Sequence, residues 1–309
     1  MTDEKTVHTG RKMQTRIYLG KLFRIFIYEK DWKVIPMAAA IALMVAFVAG
    51  KRMFSNMEGL RIGSFAFVCV CIWNGFFNSI QVVCRERAII KREHRSGLHI
   101  SAYIAAHMIY QAIICLMQVV ISILIYKWYG VQFPTDSAVT GIYLLDLGIT
   151  LFLITYASDM MALMISCLVH TTTAAMTIMP FLLIFQLVFS GILFPLYGST
   201  YKASYLTISK YGTFALCSAS NYNKLPSNAL YTALWQFESE PAVKDMIDYI
   251  EEQGLREKLD EFSSQHMQLP EYQFDCMYIL KQWGMLLFLT VLYGLIGILA
   301  LERIDRDKR

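Results

Sequence analysis

Long apolar blocks alternate with short polar stretches along this chain, at about residues 34–50, 62–83, 100–126, 142–169, 173–196 and 283–301. A helix needs roughly 20 apolar residues to cross about 30 Å of hydrocarbon, so the pattern predicts six membrane-spanning helices. Ahead of the first block, Leu19, Leu22, Phe23, Phe26 and Ile27 recur at helical spacing, with Lys21 and Arg24 on the other side. This predicts an amphipathic helix lying flat at the membrane interface, either as a surface anchor or as a helix that also touches a soluble partner. Between the second and third blocks, residues 85–97 form a charged elbow, predicted as a short helix stopped by Gly97. Between the fifth and sixth blocks the chain leaves the hydrocarbon for about 85 residues, too long for a structureless connector. Within it, Tyr201 to Leu225 is aromatic and apolar enough to dip back into the membrane as short helices. Val243, Met246, Ile247 and Ile250 then keep helical period between Pro241 and Gly254.

Composition agrees with this solvent. Hydrophobic residues make up 56% of the chain and charged residues 17%, with mean hydropathy +0.43, outside the range of soluble domains. The first block is not a cleaved leader, because Lys51 and Arg52 close it with no small-residue cleavage site. Residues 1–33 hold eight lysines and arginines, the elbow five and the tail after Leu301 four, whereas the alternate short loops hold few. The positive-inside rule therefore predicts cytoplasmic termini and a cytoplasmic elbow, and an outside location for residues 198–282.

Polar residues inside the spans are the candidate chemistry. Asn74, Asn78 and Gln81 occupy one face of the second span beside Trp73 and Phe77, so that face should meet protein or a water-filled cavity, as interhelical contact or as a pathway lining. Asp159 lies near the middle of the fourth span, where a carboxylate must be paired, hydrated or protonated. A hydrogen bond to Ser or Thr on a neighbouring helix is the expectation, with a proton relay as the alternative. Pro180 should kink the fifth span, and Gly191 should loosen its end near Gln186 and the apolar pair Ile192 and Leu193.

Other chemistry has no carrier. The sequence contains no GxxxxGK[ST] loop to cradle nucleotide phosphates, no HExxH, no GxSxG and no metal-ligand cluster. His94, His99 and His107 are read as lying at or beside a membrane interface. Of the seven cysteines, only Cys217 and Cys276 fall in the long outer segment, where a disulfide is possible. No repeat or nucleic-acid signature occurs.

Four features in order resemble the membrane domain of ABC-2 type exporters, especially the G-subfamily-like arrangement also called the type V fold. They are the amphipathic segment ending in Glu29-Lys30-Asp31, the run from Asn78 through Gly97 followed by Ser101-Ala102-Tyr103, the run Phe189-Ser190-Gly191-Ile192-Leu193, and Ile208 through Leu216 ending in Asn223-Lys224-Leu225-Pro226. The resemblance covers nearly the whole chain except the acidic stretch around 236–272. It implies an all-α membrane protein with six transmembrane helices, an N-terminal connecting helix (1–33), five spans (34–197) with a coupling helix at 85–97, a helical extracytoplasmic re-entrant region (198–282), and a last span with a cytoplasmic tail (283–309).

Residue by residue, the resemblance gives Glu86 the coupling-glutamate position, with Arg87, Arg92 and Glu93 on the same elbow and Lys21 and Arg24 on the connecting helix. Asn74, Phe77, Asn78, Gln81 and Gln186 fall on the translocation pathway, and Ile192 and Leu193 at the apolar gate. Asn74 stands where multidrug members carry a cavity phenylalanine, with Phe76 and Phe77 just after it. The implied function is a permease of an ATP-driven exporter in a bacterial plasma membrane, working as two copies with an ABC ATPase and moving an amphipathic substrate outward. ATP and Mg would bind the partner subunit, with no cofactor in this chain and no nucleic-acid partner. The starting Met1 and short polar leader are read as placing the ATPase on another polypeptide. Two rivals are a non-transporting sensor or immunity complex that binds a peptide through residues 198–282, and an ion-coupled carrier using Asp159.

Overall fold

A computed structural model describes residues 10–28, 31–194, 196–227, 234 and 240–303. Every regular element among them is helical: α1 (Arg11–Tyr28), α2 (Val34–Ala49), α3 (Met57–Ser79), α4 (Val82–Arg95), α5 (Ile100–Tyr129), α6 (Tyr143–Leu168), α7 (Thr172–Val188), α8 (Ser199–Ala203), α9 (Ile208–Ala219), α10 (Pro241–Glu252), α11 (Arg256–His266) and α12 (Cys276–Leu301). The α3–α4 run, α5, α6 and α12 are each long and apolar enough to cross a membrane. The shorter apolar helices α2 and α7 have 16 and 17 residues.

Local chemistry sets several of these ends. Asn56 Oδ1 accepts from Gly59 N–H at 2.7 Å at the start of α3, Thr171 Oγ1 accepts from Ala174 N–H at 3.2 Å at α7, and Asp275 Oδ2 accepts from Tyr278 N–H at 3.1 Å at α12. Each cap supplies an acceptor to an otherwise orphaned first-turn donor. The α3 cap starts that helix well before the predicted 62, and the α12 cap begins the last helix at Cys276 rather than 283. Helix α7 runs continuously through Pro180 and stops at Val188, where the chain turns through Gly191 with φ +78°. In the predicted fifth block the helix is therefore followed by a non-helical turn at 189–194.

The bundle core is formed by α3, α6, α9 and α12. Gly75 lets α3 approach the α6 backbone closely: a Cβ there would come within 2.7 Å of the Asp159 amide nitrogen. Every residue of α9 is buried, and Gly212 seats it against Ile154 and Val68. Trp283 Nε1 on α12 donates to Thr150 Oγ1 on α6 at 2.9 Å, which satisfies two buried polar groups at once. The outer rim is apolar instead. Ile109, Ile113, Leu116, Val120 and Leu124 form an exposed stripe along α5, and Leu287, Phe288, Val291, Leu295 and Leu299 form another along α12. Buried polar groups with an apolar outside match a protein whose solvent is lipid.

Two ends of the bundle are distinguishable. At one end, Gln14 on α1 brackets the α4–α5 turn, its Nε2 donating to Gly97 O at 3.0 Å and its Oε1 accepting from His99 N–H at 2.9 Å. Arg87 Nη1 donates there to Cys167 O and Val169 O at the end of α6, and Gly297 of α12 lies beside Cys167. At the other end, Met57 N–H donates to Pro226 O and Tyr143 pairs with Ser220. The amide of Asn223 holds the return segment by bonding Leu269 and Tyr272.

Candidate functional sites

A cavity of about 290 Å³ lies at the junction of α3 and α4. Phe77, Asn78 and Gln81 line it, together with Leu22, Ile25 and Phe26 of α1, Arg85 and Glu86 of α4, His107, Tyr110, Gln111 and Ile114 of α5, and Met176 of α7. It therefore joins three residues predicted for the pathway to the predicted coupling glutamate and to the amphipathic helix. Phe23 and Phe26 pack edge-on against Tyr110, and Tyr18 against Tyr103. The stripe on α1 thus faces α5, and Lys21 lies over Tyr18 at 5.4 Å.

A chain of polar contacts leads from this cavity into the bundle. Asn78 and Gln118 exchange two amide bonds at 3.0 Å, and Asn78 Nδ2 also lies 3.8 Å from Cys115 Sγ. That thiol donates to Asp159 Oδ2 at 3.3 Å. Asp159 is fully buried, and its other oxygen has no hydrogen-bond partner. The donor at Oδ2 is a thiol on α5, and the Ser79 hydroxyl of α3, a neighbouring-helix serine as expected, also acts on this carboxyl.

The other two predicted pathway residues lie outside the cavity lining. Asn74 is buried, with Oδ1 unpartnered. Gln186 is fully buried, and its Oε1 accepts from Ile208 N–H at 2.8 Å and Ser209 N–H at 3.3 Å, while Ser209 Oγ donates to its backbone carbonyl. Gln186 thus caps α9 and joins it to α7. His107 sits inside α5, is buried, and packs on Tyr103 at 4.5 Å with neither ring nitrogen hydrogen-bonded. Gln111 and Gln118, two turns apart on α5, were missed, although they repeat the seven-residue spacing of Asn74 and Gln81.

The elbow is helix α4, running from Val82 to Arg95 with Gly97 following at φ +103°. Arg85, Ala88, Ile89, Arg92 and Arg95 form its exposed stripe, and Arg24 of α1 is exposed too. Glu86, Arg87 and Glu93 are half-buried. Tyr103 Oη donates to Glu86 Oε2 at 3.4 Å, while Arg87 anchors α4 to α6 as described. Glu93 Oε2 is buried without a hydrogen-bond partner, and burial raises the Glu93 carboxyl above the ordinary carboxylate value. This side chain and the α4–α5 turn face Gln14, Ile17 and Tyr18 across a groove of about 300 Å³.

At the other end, Ile192 is half-buried and Leu193 is exposed in the turn after α7. Arg61 Nη2 on α3 donates to Ile192 O at 3.3 Å, so the predicted gate pair is tied to α3 through the backbone. A vestibule of about 510 Å³ lies beside it. Cys217 is buried in α9 and Cys276 is exposed, and both are free thiols. Glu29 and Lys30 of the first motif segment and Pro195 of the fifth apolar block lie outside the described residues. Among the described residues, no group of three or more His, Cys, Asp or Glu could hold a metal.

The model of the ABC-2 type transporter family matches residues 21–213, from the middle of α1 through the first half of α9. The chain belongs to that family: it is an ABC-2 type transmembrane permease domain, a transport subunit and not an enzyme. No curated protein sequence gives a match to the chain.

Proposed function

We propose that this chain is the permease half of an ATP-driven exporter, moving an amphipathic substrate outward between two copies powered by separate nucleotide-binding subunits. In this reading α2, α3, α5, α6, α7 and α12 all cross a bacterial plasma membrane, with both termini and α4 in the cytoplasm and α8 to α11 outside. The observation that carries it is the bracketing of the α4–α5 turn by Gln14. It makes α1 and the elbow one cationic surface, with Ile89 exposed for a partner's groove.

Closure of the ATPases would press on that surface through Glu86, Arg92, Glu93, Lys21 and Arg24, with Arg87 passing the force to α6. Rigid helices with two discrete arrangements would then reshape the cavity at Phe77, Asn78 and Gln81 and part Ile192 and Leu193. An apolar pair facing its copy across a two-fold axis seals a pathway by excluding water.

ATP-dependent accumulation of a fluorescent amphiphile in inside-out vesicles tests the reading. The expected result is flux that needs the ATPase partner. Flux driven by a pH gradient without ATP would replace it with an ion-coupled carrier using Asp159, and peptide binding without flux would replace it with a sensor.

A further inference from the structure

We infer that the vestibule beside Ile192 and Leu193 is a binding site for the acidic head group, a phosphate or carboxylate, of an amphiphile. Two cations line it from different elements, Arg61 of α3 and Lys210 of α9. Among the described residues, Arg61 makes one hydrogen bond, the 3.3 Å contact to the Ile192 carbonyl, and its Nε is buried with no partner. Lys210 is only 4% exposed, and its ammonium is held by Ser204 Oγ at 2.9 Å and by the ring faces of Tyr201 at 4.3 Å and Tyr205 at 4.0 Å. A hydroxyl and aromatic faces stabilise a buried ammonium without countering its charge, and the carboxylate that acts on it, Glu271, is exposed.

Guanidinium forks and ammonium groups with spare donors fit phosphate and carboxylate oxygens. The vestibule also contains the exposed carboxylate of Glu271, so its side chains sum to a single positive charge, which matches a monoanion. Ile192, Leu193, Leu196 and Phe214 line the same space and supply the apolar surface that the body of an amphiphile requires. An acid bound by Arg61 would compete with the Ile192 carbonyl for the guanidinium, so occupancy would loosen the tie between α3 and the gate turn. Only the direction of travel rests on the export reading, because binding itself needs neither ATP nor a partner.

The test is equilibrium binding to the full chain in phosphatidylcholine nanodiscs, without nucleotide. The probes are dodecyl phosphate, an uncharged dodecyl glycoside and inorganic phosphate, with a further arm in nanodiscs containing phosphatidylglycerol. Dodecyl phosphate should bind at least about tenfold more tightly than the glycoside, weaken as salt rises, and lose that preference in Arg61→Gln and Lys210→Gln, while Arg61→Lys retains part of it. Displacement by phosphatidylglycerol would identify a lipid head group as the source, and displacement by inorganic phosphate a free anion. Equal binding of the charged and uncharged probes to the wild type, or a preference unchanged in folded Arg61→Gln and Lys210→Gln, would overturn the inference. Should both variants fail to fold, the wild-type probe and salt comparison decides alone.

Discussion

Asn78 on α3 and Gln118 on α5 face each other as a reciprocal amide pair, each NH₂ donating to the other's carbonyl at 3.0 Å. One of the pair lines the cavity and the other does not, so the contact joins the cavity wall to the core. Removing one amide strands the other at a cost of about 1–2 kcal/mol in a membrane interior. Asn78→Leu and Gln118→Leu should each lower the melting temperature in detergent, and the double variant should lose less than the sum. Strict additivity in that cycle would show that the pair does not act as a unit.

Gln186 was read as a pathway residue, but its geometry gives it a different task. With Ile208 and Ser209 N–H both donating to its side chain, Gln186→Leu should strand two buried donors and destabilise by about 2–4 kcal/mol. Gln186→Glu, which keeps the acceptors, should lose less. A pathway role alone would leave melting unchanged and alter only transport.

Gly75 is fixed by close approach to the α6 backbone. Gly75→Ala should cost about 1–3 kcal/mol, and Gly75→Leu more, by forcing α3 and α6 apart. Normal expression and melting of Gly75→Leu would contradict the observed crossing.

Glu93 gives a pH dependence of known sign. Because burial raises its folded-state value above the ordinary 4.5, the folded protein holds this proton more tightly than the unfolded chain does. The stability gained is fully present below pH 4.5 and is lost as pH rises through the higher folded value. Glu93→Gln should therefore melt higher than wild type near neutrality, with the advantage shrinking on acidification. A constant difference across that range would mean that the carboxyl does not titrate differently on folding.

Much of the fold was legible because lipid imposes a simple rule, long apolar runs for helices that must satisfy their own backbone. That rule located the six apolar helices and the elbow, but it could not fix their ends. Glu58 and Arg61 sit inside α3, and Asp275 caps α12 ahead of the apolar run, because local hydrogen bonds extend a helix beyond its hydrophobic stretch. The periodic amides predicted a face turned to protein or to a cavity, since polar groups on a span must face inward, and Asn78 and Gln81 line the cavity. The same inward rule cannot tell a cavity from a protein contact, which is why Gln186 and Asn74 were grouped with them. The Cys115 contact to Asp159 was missed because a thiol in an apolar run reads as a hydrophobe.

The most direct test of the central claim is substrate-stimulated ATP hydrolysis by the purified complex of this chain with its ATPase, compared between wild type and Glu86→Ala. Glu86 lines the cavity and also belongs to α4, so the account predicts an intact complex whose basal hydrolysis persists while the stimulation by substrate is lost. Full stimulation in the Glu86→Ala complex would contradict transmission through the elbow.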